Sequence, residues 1–234
     1  MAEGELAYAE EPLLSITGSL IETQLVETLL LNTIGFETMV ATKAARVALS
    51  AAGRTFVDFS ARRDHGADAA LRVARASYVG GAAATSLVEA GRRYGLPLSG
   101  TMAHSYVMAH RQERDAFASF LRRFPDNAVL LVDTHDSVQG TREAVAAMTA
   151  TGIRAQAIRL DSGDLGDLSV RTRAILDEAG YADVRIFASG DLDEDRVAEL
   201  VASGAPIDAF GVGTRMGTSD DAPSLGAPPC STSL

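Results

Sequence analysis

The sequence is poor in the residues that mark several large classes of protein. It has one cysteine, Cys230, so no disulfide can form within the chain, and we expect a reducing, cytoplasmic environment. It has four histidines and neither a CxxC nor an HExxH spacing, which argues against a zinc site. No apolar stretch approaches the roughly 18 residues of a membrane span, and the acidic start of the chain is unlike a signal peptide. The sequence therefore predicts no association with a membrane.

Basic residues are also scarce, since 21 Lys and Arg stand against 31 Asp and Glu, giving a net charge of −10. This balance disfavours nucleic acid as the main partner, because phosphate backbones repel an acidic surface. Hydrophobic residues make up 47% and charged residues 22% of the chain, which is typical of a globular protein. With 234 residues the chain is long enough to bury a full core.

Apolar runs alternate with segments of helical spacing. Seven such runs each end in small or polar residues, and all but the last lead into a helix-like segment: residues 55–57, 78–84, 96–98, 128–132, 155–160, 184–188 and 207–210. Apolar residues at i, i+3 and i+4 recur between them, in 68–77, 113–124, 141–150, 169–179 and 194–202. This alternation predicts parallel strands with right-handed crossovers. We expect an irregular seven-stranded parallel α/β barrel over residues 21–217, with an open doubly wound sheet as the alternative.

The segment 159–164 (RLDSGD) carries a cation, two carboxylates, a hydroxyl and a glycine directly after a predicted strand. Strand ends of a parallel sheet face one side, where α/β proteins bind ligands. Carboxylates there would hold a metal or sugar hydroxyls, and an arginine would hold a phosphate or carboxylate. The competing interpretation is an ordinary turn with an Asp that caps the next helix. Convergence of several such strand ends favours an enzyme or a small-ligand binder.

The two ends of the chain differ from its middle. Residues 1–20 contain short β-like pieces such as 13–16 and resemble a remnant of another domain. Residues 21–52 read as helix, which we expect Gly35 to divide. Residues 218–234 are rich in Ser, Pro, Gly and Ala, which predicts a disordered tail.

Eight motifs in this order resemble those of nicotinate phosphoribosyltransferases, a family of type II phosphoribosyltransferases. They are residues 22–28, 41–46, 58–63, 80–86, 100–105, 131–134, 159–165 and 210–214. The resemblance implies a seven-stranded irregular barrel beside an α/β sandwich domain, of which residues 1–20 would be the remnant, and a homodimer. It also implies a reaction between nicotinate and 5-phosphoribosyl-1-pyrophosphate, coupled to ATP hydrolysis through a phosphorylated histidine, which is His104 by motif.

The resemblance assigns the pyridine side of the site. Phe59 corresponds to the aromatic that stacks on the ring, and Arg62 to the arginine beside the ring and the ribose phosphates. Arg63 or Ser86 would bind the nicotinate carboxylate. An acidic residue near Ser86 would favour nicotinamide, so the serine argues for a carboxylate substrate.

The resemblance also assigns the phosphoribosyl side. Arg159 and Asp161 correspond to a pair that holds the ring and the ribose, and Asp161 would stabilise an oxocarbenium-like transition state. Asp133 and Asp136 are candidates for a Mg²⁺-linked contact with pyrophosphate. Gly190, Gly213 and Thr214 resemble a phosphate cradle, where glycine lets backbone N–H groups approach an anion. The other substrate-binding residues implied by these motifs are Thr85, Ser162, Gly163, Ser189 and Gly211.

The chain departs from the family at both ends. Segments that family members have there find no counterpart in this sequence. We therefore expect residues 1–234 alone to lack the full activity. Two alternatives stay open: a non-catalytic fragment that binds phosphoribosyl ligands or pairs with a full-length subunit, and a nicotinamide or quinolinate phosphoribosyltransferase.

Overall fold

The chain folds around one parallel β-sheet in the computed structural model, which describes residues 1–226. The strands are β1 (Thr55–Asp58), β2 (Ala84–Thr85), β3 (Val129–Leu131), β4 (Ala157–Leu160), β5 (Arg185–Ala188) and β6 (Ala209–Val212). Their spatial order is β2-β1-β6-β5-β4-β3, and every pairing is parallel. Cys230 and the last part of the predicted tail, residues 227–234, lie outside the described residues.

Helices connect the strands. They are α1 (Leu20–Ser50), α2 (Ala67–Val79), α3 (Val88–Tyr94), α4 (His104–Met108), α5 (Glu113–Arg123), α6 (Ser137–Thr151), α7 (Leu165–Glu178), α8 (Glu194–Ala202) and α9 (Thr214–Gly217). The predicted alternation of strand and helix is thus confirmed. Among the described residues no helix is long and apolar enough to cross a membrane.

The sheet has six strands in the described residues, where seven were predicted. The run 78–84 was wrong as a strand, because α2 continues to Val79 and only Ala84–Thr85 pairs with β1. The run 96–98 forms a single isolated bridge between Leu98 and Thr85, next to a proline that has no N–H to donate. No pairing joins this bridge to β3 within the described residues. The curled sheet therefore stays open on this side and forms a half-barrel.

Successive residues of each strand face opposite sides of the sheet. Fully buried side chains on the outer side pack against the helices, and they include Phe56, Ile158, Ile186 and Phe210. A second cluster lines the concave side: Val57, Ala84, Val129, Ala157 and Phe187. Burial of each large side chain stabilises the fold by about 1.5–3 kcal/mol. Because Ile158 and Leu160 face outward, the alternation turns Arg159 into the concave side.

Side-chain caps set where several helices begin. Ser19 and Glu22 form a capping box at the start of α1. Asp136, Asp164 and Asp193 each accept a hydrogen bond from a backbone N–H in the first turn of α6, α7 and α8. For Asp164 the simple capping interpretation is therefore correct, and it places the start of α7 five residues beyond the end of β4.

The N-terminal part differs from two expectations. Gly35 does not divide the first helix, because α1 is continuous over 31 residues. Residues 13–16 form no strand; the segment before Leu20 consists of turns and bends. Without a neighbouring strand, a short apolar alternation has nothing to pair with.

Candidate active site

The C-terminal ends of the parallel strands lie along one edge and bring the predicted polar residues together. Arg159 lies in β4 and Asp161 directly follows it, Ser189 follows β5, and His104 begins α4. The Arg159 side chain is 12% exposed and that of Asp161 is 18% exposed, so both are largely shielded from water. Polar residues of β4 and β5 thus lie close to His104 at one edge of the sheet.

Arg159 is held by three side chains at once. Its Nε donates to Ser189 Oγ at 2.7 Å, one terminal nitrogen donates to Thr101 Oγ1 at 2.7 Å, and the other to Asp161 Oδ1 at 2.7 Å. Hydrogen bonds from three sides of a planar guanidinium fix both its position and its plane. The arginine is therefore preorganised by the protein itself.

Asp161 is a buried carboxylate that stays charged. Burial alone would raise the pKa of Asp161, but the charge of Arg159 and hydrogen bonds from Ser189 and Arg159 outweigh it and hold the pKa below its ordinary value. Ser189 Oγ donates to Asp161 Oδ1 at 2.6 Å. Oδ2 is left facing the His104 ring. The site thus presents one fixed negative charge beside a fixed positive charge.

His104 joins this group through both ring nitrogens. Nδ1 lies 3.1 Å from Thr134 Oγ1, and Nε2 lies 3.6 Å from Asp161 Oδ2. The side chain is 40% exposed, so a ligand can reach it. His104 and Arg159 therefore contact the same carboxylate, as expected for residues of one nucleotide-sized pocket.

Asp133 supports the neighbouring loop and keeps one oxygen free. Its Oδ2 accepts hydrogen bonds from the Asp161 backbone N–H at 2.9 Å and from Ser162 Oγ at 2.6 Å. Its Oδ1 is buried without a hydrogen-bond partner in the described residues. A buried, unpartnered carboxylate oxygen fits a cation ligand. Asp136, by contrast, uses its carboxylate to cap α6.

Two aromatic rings lie next to Arg159. Phe59 and Phe187 lie with ring centroids 5.5 Å apart, and the Arg159 guanidinium lies 5.1 Å from the centroid of Phe59. Gly211 makes room for them, since a Cβ there would lie 2.7 Å from Phe59 and 2.9 Å from Phe187. The cavity therefore offers a flat apolar surface next to a cation, which suits a planar anionic ring.

The predicted phosphate cradle lies on the two loops after β5 and β6. Gly190 has φ +100°, and a Cβ at this position would overlap the backbone carbonyl of Asp161, so only glycine fits. Gly213 precedes α9, whose first residue is Thr214. Gly163, with φ +81°, shapes the loop after β4 in the same way.

The loop after β1 carries Arg62 and Arg63 into solvent. Both are exposed, and neither forms an ion pair within residues 1–226. Ser86 is also exposed at the end of β2. Thr85 is buried, and its hydroxyl donates to Asp58 Oδ2 at 2.8 Å. The first three are free to meet a ligand, whereas Thr85 supports the loop.

A buried acidic pair underlies this loop. Ser60 Oγ lies 2.6 Å from Asp58 Oδ1 and 3.0 Å from Asp64 Oδ2. Asp64 Oδ1 is buried without a hydrogen-bond partner in the part of the chain described. Burial raises the pKa of Asp64 to about 6; the Ser60 hydrogen bond opposes the rise, and the charge of Asp58 adds to it. The sequence analysis did not single out this pair.

Sequence reasoning also missed three supports of the site: Thr101, Thr134 and Phe187. Thr101 and Thr134 lie inside matched motifs, so motif membership was an available signal. Their partners are 58 and 30 residues away in sequence, however, and no local pattern shows such a pairing.

Comparison with known proteins assigns the class of this fold and site. Residues 40–220 match the family described as "Quinolinate phosphoribosyl transferase, C-terminal domain". This match covers more than half of the chain, and the chain belongs to that family of phosphoribosyltransferases. The predicted type II phosphoribosyltransferase fold is thereby confirmed.

Curated relatives narrow the resemblance to nicotinate phosphoribosyltransferases. The chain is 50% identical to nicotinate phosphoribosyltransferase pncB2 of Mycobacterium tuberculosis, over 95% of this chain and 48% of the relative. It is 45% identical to the Bacillus subtilis nicotinate phosphoribosyltransferase, over 97% of this chain and 47% of that protein. The chain thus spans about half the length of the curated relatives it matches.

Solved structures of related enzymes have a similar fold. The structure of human nicotinic acid phosphoribosyltransferase superimposes with a TM-score of 0.81 at 28% identity, over 90% of this chain and 54% of that chain. Nicotinate-nucleotide pyrophosphorylase from Pyrococcus furiosus gives 0.72 at 28% identity, over 82% of this chain and 49% of that one.

Proposed function

We propose that this chain carries the transfer site of a nicotinate phosphoribosyltransferase. The reaction joins nicotinate to 5-phosphoribosyl-1-pyrophosphate and releases nicotinate mononucleotide and pyrophosphate. The observation that carries the proposal is the Arg159 guanidinium, fixed by three side chains at 5.1 Å from the Phe59 ring. The names of relatives at 45–50% identity support the same reaction.

The arrangement suits both halves of the product. The Phe59 face and the Arg159 charge would hold the pyridine ring, while Arg62, Arg63 and Ser86 are free to bind its carboxylate. Asp161 would stabilise the positive charge that develops on the ribose as pyrophosphate leaves. Because the pKa of Asp161 is held low, this charge is present at neutral pH. Ser162, Gly163, Gly190, Gly213 and Thr214 would surround the phosphates.

We further propose that the reaction is coupled to ATP hydrolysis through His104. Phosphoryl transfer from ATP would form a bond to a ring nitrogen of His104 as the bond between the γ-phosphorus and the bridging oxygen breaks, leaving ADP. Nε2 lies on the cavity side near Asp161, while Nδ1 is engaged by Thr134. Mg²⁺ would neutralise the phosphate charge, and the unpartnered Asp133 Oδ1 supports a role for Asp133 as one of its ligands.

The remaining partners stay proposals. We expect a homodimer in the longer form of the protein, in line with the resemblance, and we expect no role for nucleic acid because of the net charge of −10. One alternative has an observation of its own: the matched family is described by quinolinate. The names of the curated relatives favour nicotinate over quinolinate.

Product binding tests the proposal, because it does not require turnover. Residues 1–234 are titrated with nicotinate mononucleotide by calorimetry, with nicotinamide mononucleotide and quinolinate as comparison ligands. We expect nicotinate mononucleotide to bind tightest and Arg159→Met to weaken it at least tenfold, because a charge-assisted contact of about 1.5–3 kcal/mol is lost. Arg154→Met is the matched control, since Arg154 forms a surface ion pair with Asp183.

Two outcomes would contradict the proposal. Equal affinity of Arg159→Met and the wild type would show that the guanidinium does not hold the nucleotide. Tighter binding of quinolinate than of nicotinate mononucleotide would move the assignment to the other substrate.

A further inference from the structure

A buried lysine on α1, within the matched motif 41–46, lies beside the two loops of the proposed phosphate cradle. The Lys43 side chain is 6% exposed, and its ammonium contacts three carboxylates. Nζ lies 3.0 Å from Glu194 Oε2, 2.8 Å from Asp221 Oδ1 and 3.6 Å from Asp220 Oδ1. Burial alone would lower the pKa of Lys43, but the close carboxylates of Asp221 and Glu194 outweigh this and raise the pKa, so the lysine is charged.

The carboxylates around Lys43 belong to two separate loops. Glu194 begins α8, which is entered from β5 through Ser189 and Gly190. Asp220 and Asp221 follow α9, which is entered from β6 through Gly213. A single ammonium therefore connects the far ends of both segments that would surround the phosphates.

Further ion pairs reinforce the same junction and together with Lys43 form what we call the loop clamp. Arg215 of α9 donates to Asp193, the cap of α8, at 2.8 Å. Arg46 of α1 lies 2.9 Å from Asp221. The members of the loop clamp are Lys43, Arg46, Asp193, Glu194, Arg215, Asp220 and Asp221. Lys43 differs from both arginines in exposure, because their side chains are 53% and 51% exposed, and exposed ion pairs contribute little.

We propose that Lys43 is a positioning residue for phosphate binding: by holding Glu194 and Asp221 together it fixes the Gly190 and Gly213 loops relative to each other, so that both can contact one phosphate-bearing ligand. The identity of the ligand rests on the proposed function. The fixing of the two loops by Lys43 does not rest on it. Preorganised loops bind an anion without the cost of ordering two backbone segments. Lys43 contacts no substrate atom itself.

A double variant separates positioning from stability. Lys43→Met leaves the Glu194 carboxylate, which is 14% exposed, with only Arg46 at 3.8 Å as a partner. Lys43→Met with Glu194→Gln removes that charge and should recover most of the stability, yet the connection to Asp221 stays broken. Lys43→Arg keeps both the charge and the connection. Arg92→Met is the control, because Arg92 forms only an exposed pair with Glu89.

The first measurement is amide hydrogen exchange on the protein without ligand. Ser189 N–H donates to Leu160 in the first loop, and Met216 N–H donates to Gly213 in the second. We expect both amides to exchange at least tenfold faster in the double variant and at the wild-type rate in Lys43→Arg. Val132 N–H, bonded to Arg159 on the other side of the site, should not change. Unchanged exchange at Ser189 and Met216 would overturn the proposal.

The second measurement is calorimetric titration with inorganic pyrophosphate and Mg²⁺. We expect the double variant to bind about tenfold more weakly than the wild type, while its affinity for nicotinate stays within twofold. Wild-type affinity in the double variant would reduce Lys43 to a structural role and overturn the proposal. If the wild type itself bound no pyrophosphate, both the proposed function and the proposed role of Lys43 in phosphate binding would be refuted. The exchange rates would still decide whether Lys43 fixes the loops.

Discussion

The hydroxyl between Asp58 and Asp64 has one proton for two carboxylates. Ser60 Oγ lies within hydrogen-bond distance of both, and Asp58 also accepts from the Ser60 backbone N–H and from Thr85. A serine donates one hydrogen bond, so the second short contact is favourable only if Asp64 is protonated and donates to Ser60. This geometry agrees with a pKa of Asp64 raised to about 6, with burial as the largest cause.

The raised pKa makes Asp64→Asn a stabilising substitution with a defined pH dependence. The folded protein holds the proton of Asp64 more tightly than the unfolded chain, whose ordinary pKa is 3.8. The contribution of Asp64 to stability is therefore fully present below about pH 4 and is lost as pH rises through about 6. The rise corresponds to about 3 kcal/mol; because Asp64 is partly exposed, we discount it for solvent screening to about 1.5 kcal/mol.

Asparagine is uncharged at every pH and can donate the same hydrogen bond. We therefore expect the free energy of unfolding of Asp64→Asn to exceed that of the wild type by about 1.5 kcal/mol at pH 7.5, and the difference to vanish near pH 4. Urea denaturation followed by circular dichroism at the two pH values measures both differences. Asp126→Asn, at an exposed position before β3, removes the same charge and should show no such gain. A wild-type protein as stable as the variant at pH 7.5 would refute the argument.

Three further substitutions test the site. In a complete version of the protein, His104→Ala should abolish ATP-dependent stimulation and any acid-labile phosphoenzyme; a persistent phosphate signal would place the phosphate elsewhere. Gly190→Ala should destabilise the fold by about 2 kcal/mol or more, because its Cβ would overlap the Asp161 carbonyl; an unchanged melting temperature would contradict this. Thr134→Val should shift the ¹⁵N resonance of His104 Nδ1, whereas Thr134→Ser should leave it in place, and equal spectra for both variants would exclude the hydrogen bond.

Five of the seven apolar runs predicted strands of the sheet, and their success did not depend on length. The runs 55–57, 128–132, 155–160, 184–188 and 207–210 each share at least two residues with a strand. The run 78–84 failed because Tyr78 and Val79 are apolar for a different reason: they end α2. Apolar character alone does not separate a buried strand from the end of a helix.

The candidate site could be predicted as a set of strand ends but not as a set of contacts. Parallel topology places Arg159, His104 and Ser189 on one edge, whichever side chains they carry. Which hydroxyl meets which guanidinium nitrogen depends on loop geometry that has no periodic signal. Thr101 illustrates this, because its bond to Arg159 spans 58 residues of sequence.

The two halves of α1 differ in what stabilises them, although its backbone hydrogen bonds are continuous. At 1.5 Å per residue its 31 residues extend about 46 Å, and its buried residues, from Val40 to Val47, lie near its C-terminal end. Leu20, Leu25 and Leu29 in the other half are 63–77% exposed. Helices draw most of their stability from packing, so the backbone from residue 20 to about 32 depends on the Ser19 cap and on intrinsic helix propensity. Unfolding of α1 should therefore begin at Leu20 and proceed toward its C-terminal end, which is packed into the hydrophobic core.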